Sequence, residues 1–296
     1  MAGPVRIYRQ GARGFHRLPS RTAPDARAGV VVNTVPTKEI RGFVLAADPA
    51  REECFTVVNT DDEMHEWPDM SEISRRERIH RHMNNETGAM EIAAQALVDF
   101  PEAPWGLRMN LARQATDEAR HAELLLTRLV EMGGMKGEFP IANFEWGVTN
   151  MLDNLPGRLA VQNRTFEAGL IDLLGTLRDK WRKEGDHATA DMLESILADE
   201  ITHVRFGNRW IKRMTEENPA ILLKVAMAVR FLGKAIGSMQ LKPGETNVVG
   251  TVWTEEKLRP PAVNIEDRLE AEFTMDEIKE VLSQAGFRTI IPSALR

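Results

Sequence analysis

The sequence predicts an all-α protein built on a bundle of four long helices, and three observations predict it. A short pattern occurs twice, as Asp117-Glu118-Ala119-Arg120-His121 and as Asp199-Glu200-Ile201-Thr202-His203, with the two glutamates 82 residues apart. A further glutamate stands at a nearly equal distance before each: Glu86 is 32 residues before Glu118, and Glu167 is 33 before Glu200. Turn and breaker residues (Pro101 and Pro104, Gly133-Gly134, Gly185-Asp186, Asn218-Pro219) cut the intervening chain into helix-sized segments.

Residues 1–70 carry Pro, Gly and short β-branched runs, Val30-Val31-Val32 and Phe55-Thr56-Val57-Val58. They read as an irregular N-terminal arm with room for a short hairpin. The first 30 residues are basic, with Arg6, Arg9, Arg13, Arg17, Arg21 and Arg27 against Asp25. They lack the apolar core of a secretory signal. Gly11, Gly14, Pro19 and Pro24 break any amphipathic transit helix. An arm packed on the bundle or on a neighbouring subunit is expected, and the arm-like ends point to a homodimer.

The bundle proper is assigned to residues 71–239. A first helix runs from Ser71 to Phe100 and a second from Trp105 to Met132, stopped by Gly133-Gly134. After a connector at 135–142, a third runs from Phe144 to Lys183 with a break expected at Pro156-Gly157. Asp186 caps a fourth to about Glu216, and Asn218-Pro219 opens a fifth to about Met239. Residues 240–296 form a tail containing Pro243-Gly244 and Pro260-Pro261. In it Thr274-Met275-Asp276-Glu277 reads as a capping box before a short helix that ends at Gly286.

The doubled pattern carries chemistry. Positions i and i+3 share a helix face. Glu118 with His121, and Glu200 with His203, therefore each aim two ligands at one spot. Two such pairs plus one carboxylate from each of two further helices make a two-metal carboxylate site. Equal spacing selects Glu86 and Glu167 as those carboxylates. The neighbourhoods match as well: Glu86-Thr87-Gly88-Ala89-Met90-Glu91 parallels Glu167-Ala168-Gly169-Leu170-Ile171-Asp172, as a duplicated helix hairpin would leave. Glu91 is the rival on the first helix, but i+5 lies about 140° from i. It and its counterpart Asp172 are therefore expected to support the site from outside or to lie on the surface. Asp117 and Asp199 are placed to accept the second ring N–H of the histidine on the opposite hairpin, pairing Asp117 with His203 and Asp199 with His121. His82 is one turn from Glu86 and about 40° round the helix. It reads either as an extra ligand or substrate contact, or as a polar residue at the bundle end.

Composition excludes several classes. Net charge is −6, so a nucleic-acid backbone is not the expected partner. Cys54 is the single cysteine, which rules out a disulfide framework, a Cys₄ metal site and a rubredoxin-type domain within this chain. It suits a reducing cytoplasm. No apolar run approaches the ~18 residues of a membrane span. No Gly-x-Gly-x-x-Gly fingerprint supplies a dinucleotide site.

The first motif resembles that of di-iron carboxylate oxygenases and ribonucleotide reductase small subunits. Over roughly residues 76–290 the chain resembles an uncharacterised bacterial group of ferritin-like proteins. The resemblance is carried by Phe100-Pro101, Asp117 to His121, Glu167-Ala168, Gly185-Asp186-His187, Asp199 to Val204, Gly207-Asn208-Arg209-Trp210, Pro260-Pro261 and Asn264. It implies a ferritin-like four-helix bundle with extra helices and irregular N- and C-terminal extensions, and by analogy O₂ or peroxide chemistry. The single tyrosine, Tyr8, lies in the arm, which argues against a radical-storing reductase subunit.

Four carboxylates and two imidazoles suit two iron ions, cycling Fe(II)/Fe(III), or manganese or a mixed Mn/Fe pair. The expected function is a non-haem di-iron oxidase or oxygenase acting on a small organic substrate, free or carrier-bound. Its electrons would come from a ferredoxin, a reductase or the substrate. A ferroxidase, peroxidase or metal-handling protein is one alternative. A bundle with a structural or degenerate metal site is another.

Overall fold

The computed structural model describes residues 35–65, 67, 69–239, 244–246 and 262–284. The basic segment, the Val30–Val32 run, Pro260-Pro261 and the predicted stop at Gly286 lie outside the described residues. The described chain is an all-α bundle with a few short strands. The helices are α1 (Glu72–Asp99), α2 (Trp105–Glu131), α3 (Phe144–Asn150), α4 (Leu155–Val161), α5 (Ala168–Lys183), α6 (His187–Glu217), α7 (Ile221–Met239), α8 (Ile265–Glu270) and α9 (Met275–Gln284). The hairpin α1–α2 packs on the hairpin α5–α6, with α2 against α6.

Sequence punctuation sets most of these ends. Asp186 caps α6 by accepting the Thr189 N–H at 3.0 Å. The predicted capping box forms: Thr274 N–H donates to Glu277 Oε2 at 2.8 Å, and Glu277 N–H to Thr274 Oγ1 at 3.3 Å. The third predicted helix differs. Its break comes at 151–154, before Pro156, and Asn154 caps the restart through the Gly157 N–H at 2.9 Å. Proline at the start of a helix costs no hydrogen bond, so Pro156 opens α4 instead of kinking it.

The residues before the bundle are more regular than expected. Strands β1 (Thr37–Ile40) and β2 (Phe43–Ala46) pair antiparallel. Arg41 and Gly42 turn between them at φ 52 and 77, the two positive values of a tight hairpin turn. Arg41 is held there by donating to the Met239 carbonyl at 2.6 Å and by an ion pair with buried Asp62. Strand β3 (Val57–Val58) pairs parallel with β4 (Ile141–Ala142) in the α2–α3 connector.

Two apolar clusters fill the bundle on either side of its middle. One joins Ile79, Met83, Leu125, Leu129, Leu193 and Ile196 to Phe273 and Ile278 of the tail. The other joins Ala96, Phe100, Leu107, Leu111, Leu159 and Phe206. Along α1 the first cluster ends at Met83 and the second begins at Ala96, so the polar residues between them occupy the middle of the core. No helix among the described residues is long and apolar enough to cross a membrane.

Candidate metal centre

Glu86 comes from α1, Glu118 and His121 from α2, Glu167 from the turn leading into α5, and Glu200 and His203 from α6. All six meet in the polar middle, and none is more than 3 % exposed. They form two overlapping groups, Glu86–Glu118–His121–Glu200 and Glu118–Glu167–Glu200–His203. Within each group one ligating atom per residue lies within 4.8 Å of the others. Each histidine points Nδ1 inward. His121 Nδ1 is 3.1 Å from Glu118 Oε2 and 3.5 Å from Glu200 Oε1; His203 Nδ1 is 3.2 Å from Glu118 Oε1 and 3.5 Å from Glu200 Oε2. Glu118 and Glu200 thus each turn one oxygen to either histidine.

The donor set fits metal ions. Both Glu200 oxygens, Glu86 Oε1 and His203 Nδ1 are buried without a hydrogen bond of acceptable geometry. Buried carboxylate oxygens left this way are costly, and a shared cation satisfies them together. Without it, protons do part of the work. Burial pushes Glu200 up to about 8, with the Glu118 charge adding to it. Burial and Glu200 raise Glu167 well above the usual carboxylate range. Burial alone would lower His121, but Glu118, Glu86 and Glu200 outweigh it and hold it at about 11. Glu86 goes the other way: burial would raise it, yet His82 and His121 bring it below the usual range. A metal must displace these protons.

The outward nitrogens meet the two motif aspartates in the crossed pattern read from sequence. His121 Nε2 is 3.2 Å from Asp199 Oδ2, and His203 Nε2 is 3.2 Å from Asp117 Oδ2. Each aspartate also has an arginine: Arg120 pairs with Asp199, and Arg113 reaches Asp117 at 3.4 Å. This accounts for Arg120 inside the first motif.

The repeat extends one turn upstream. His82 is four residues before Glu86, with Nε2 2.5 Å from Glu86 Oε1. Asn163 is four before Glu167 and donates to its Oε2 at 3.0 Å. His82 is therefore buried beside the centre and is not a residue of the bundle end. His80 faces elsewhere, with Nε2 accepting the Gly137 N–H at 2.9 Å.

Sequence reasoning missed four residues here. Gln114 donates to Glu118 Oε1 at 3.2 Å and also to Glu167 Oε1. Asn163 donates to Gln114 Oε1 at 3.0 Å. Gln162 Nε2 donates to Glu145 Oε1 at 2.5 Å and reaches Glu167 Oε1 at 3.4 Å. The Gln162–Glu167 contact goes with a π-helical turn over Gln162–Glu167. In an α-helix positions i and i+5 lie about 140° apart; the wider π turn brings Gln162 and Glu167 to one side, a placement common at functional sites. Glu145, on α3, is half-buried, and desolvation pushes it up to about 8 with Glu86 and Glu118 contributing. The shared offset of Asn163 and His82 is the one signal that sequence offered for any of the four.

A cavity of about 240 Å³ lies against the centre, lined by Glu86, Glu118, Glu167 and Glu200 but by neither ligand histidine. Glu145, Ala89 and Phe166 complete much of its wall. The open side of the centre is thus the carboxylate side.

Two expected support residues do other work. Glu91 holds Arg51 with two bonds of 2.8 and 2.9 Å, away from the six ligands. Asp172 is not a surface acid and belongs to neither four-residue group. It is buried and receives Arg268 Nε at 2.9 Å, Arg268 Nη2 at 2.7 Å and the Asn264 N–H at 2.9 Å, which fastens α8 to α5. The tail needed a buried anchor, and a position equivalent to Glu91 supplied it.

Fold and site define a helical bundle with a buried carboxylate–histidine centre able to hold metal. A family model described as "Protein of unknown function (DUF455)" matches residues 20–279, and the chain belongs to that family. It is also similar to an uncharacterised protein of Haemophilus influenzae, 29% identical over 106 residues. That match spans 36% of this chain and 37% of the relative's length. No solved structure matches significantly.

Proposed function

We propose that this is a ferritin-like di-iron enzyme, an oxidase or oxygenase that uses O₂ to oxidise a small organic substrate, free or carrier-bound. The observation that carries the reading is the pair of four-ligand groups sharing Glu118 and Glu200. The arrangement has the ligand logic of ferritin-like two-metal bundles, with Glu-x-x-His on two helices and a Glu on each of two others. Four ionised glutamates balance two divalent ions. Oxygen and imidazole donors suit iron, and equally manganese or a mixed pair.

When bound, a reduced iron pair supplies electrons to O₂. The chain's own residues prepare the place. Asp117 and Asp199 fix the tautomer and tilt of His203 and His121. Gln114 and Asn163 hold Glu167 in one orientation. Glu145, pushed up to about 8 while the site holds no metal, stands at the cavity wall as a proton-holding group. The carboxylate-side cavity admits a substrate while the apolar clusters keep bulk water from the centre. Electrons come from a ferredoxin, a reductase or the substrate. A reducing cytoplasm, which suits the lone Cys54, is the proposed setting.

The test is anaerobic loading with Fe(II), removal of excess metal, then O₂ in the presence of organic substrates. Two irons per chain, and O₂ consumption matched by an oxidised organic product, are expected. Continued iron uptake with mineral growth would favour a metal-handling protein instead. Failure to bind two metals would sink both readings.

A further inference from the structure

The run Gly207-Asn208-Arg209-Trp210 follows the second motif, and the six ligands leave its glycine unexplained. Gly207 stands one turn beyond His203 on α6, and residues four apart share a helix face. What lies against that face is the π turn. A Cβ on Gly207 would come 2.7 Å from Asn163 Cβ and 3.4 Å from Asn163 Cγ. Carbon atoms in good contact sit about 3.5–4.0 Å apart. The atom struck is Cβ, fixed to the backbone, so no change of rotamer relieves the overlap. The turn itself would have to move.

The close approach serves Asn163. Its amide donates to Glu167 Oε2 at 3.0 Å, to Gln114 Oε1 at 3.0 Å and to the His203 carbonyl at 3.3 Å. One side chain thus ties the ligand of its own turn to α2 and to α6. Asn163 is 1 % exposed, which leaves water no way to take over a lost partner. The tail holds the same turn from a second direction. The Arg164 guanidinium lies 5.2 Å from the centre of the Phe273 ring and pairs with Glu277.

The first hairpin is built differently. Leu125 stands one turn beyond His121, as Gly207 stands beyond His203. Leu125 is fully buried and packs in one cluster with Met83. There α1 runs through Glu86 as an unbroken α-helix, and a full-sized side chain fits against it. A bare Cα is needed only where the π turn comes close.

We propose that Gly207 is a positioning residue for one of the two ions. Its missing side chain lets the π turn seat on α6, so that Asn163 holds Glu167 toward the ion beside His203. The ion beside Glu86 and His121 does not depend on it. The inference rests on reading Glu167 as a ligand of the proposed two-metal centre.

The experiment titrates the full chain with Co(II) against a competing chelator and follows the visible bands of each binding step. Gly207→Ala should weaken one step about tenfold or more, the loss typical when a group that orients a ligand is disturbed, and should shift the visible band of that step. It should be the step that Asp117→Asn weakens, and the other step should stay unchanged. Gly88→Ala is the control. Gly88 stands two residues beyond Glu86, a Cβ there meets nothing within 4 Å, and both steps should match the parent. A double variant isolates the cause. Asn163→Gly removes the amide together with the atom that Gly207→Ala strikes, so adding Gly207→Ala to it should weaken that step no further. A Gly207→Ala variant that binds like the parent, that weakens both steps equally, or that adds its full cost to Asn163→Gly would each overturn the proposal. If Gly207→Ala alone does not fold, the double variant should, because its overlap is gone; a double variant that also fails would overturn the proposal too. Two bound ions without O₂ reactivity would defeat the proposed oxidase function and leave this assignment standing. O₂ reactivity with a Gly207→Ala variant that binds like the parent would do the reverse.

Discussion

The crossed hydrogen bonds between motifs make a prediction that few other arrangements share. His121 belongs to the group containing Glu86, yet its Nε2 partner is Asp199, from the other hairpin, at 3.2 Å. His203 belongs to the group containing Glu167, yet its partner is Asp117, also at 3.2 Å. Asp199→Asn keeps the shape and removes the charge that orients a fully buried imidazole. Loss of such a partner typically weakens metal binding ten- to a hundredfold, about 1.4–2.8 kcal/mol. The Arg120–Asp199 pair adds little, because the Arg120 side chain is 43% exposed and solvent screens the pair. Asp199→Asn should therefore weaken the ion held by Glu86 and His121, and Asp117→Asn the ion held by Glu167 and His203. Competition titration against a chelator, with Co(II) as a coloured probe, resolves two binding steps and shows which one moves. Two variants that weaken the same step, or neither, would refute the crossed pairing.

Other outcomes follow from the same geometry. Glu86→Ala should lose one or both metals, whereas Glu91→Ala should keep both and lose roughly 1.5–3 kcal/mol of stability with its bonds to Arg51; metal analysis with urea unfolding separates them, and metal loss confined to Glu91→Ala would reverse the ligand assignment. Asp172→Ala leaves Arg268 buried without its countercharge and should cost about 3–5 kcal/mol at unchanged metal content; a cost below about 1 kcal/mol would contradict its role as the anchor of α8. The metal-free protein should lose stability as pH rises. His121 is raised from 6.5 to about 11, so its contribution is full below 6.5 and fades toward 11. Glu200 is raised from 4.5 to about 8, so burial penalises its charged form increasingly across that window. Bound metal requires the same protons to leave, so the stabilisation it confers should grow from pH 5 to 8. Tm measured with and without metal at several pH values tests both trends, and a metal-free Tm that climbs through that range would contradict the first.

Periodicity and duplication made much of this legible. The repeated Asp-Glu-x-x-His sets two candidate ligands per helix by turn geometry alone, and equal spacing favours Glu86, which joins a four-residue group, over Glu91, which does not. Residues outside the repeat were not legible in that way. Gln114 has Ile196 at the matching place in the second copy, so no duplication points to it. Glu145 sits on α3, off the four ligand-bearing helices. Gln162 reaches Glu167 only because a π turn changes the register, and a local change of hydrogen bonding leaves no periodic trace. Asp172 shows the opposite failure. Its pattern matched Glu91, but packing against the tail gave it a partner, Arg268, 96 residues away.

The central claim is that two ions share Glu118 and Glu200. Anomalous scattering from crystals grown with Mn(II) or Fe(II) tests it most directly. Two peaks roughly 3.5–4 Å apart are expected, one beside Glu86 and His121 and the other beside Glu167 and His203. A single peak, or metal bound away from both histidines, would contradict it.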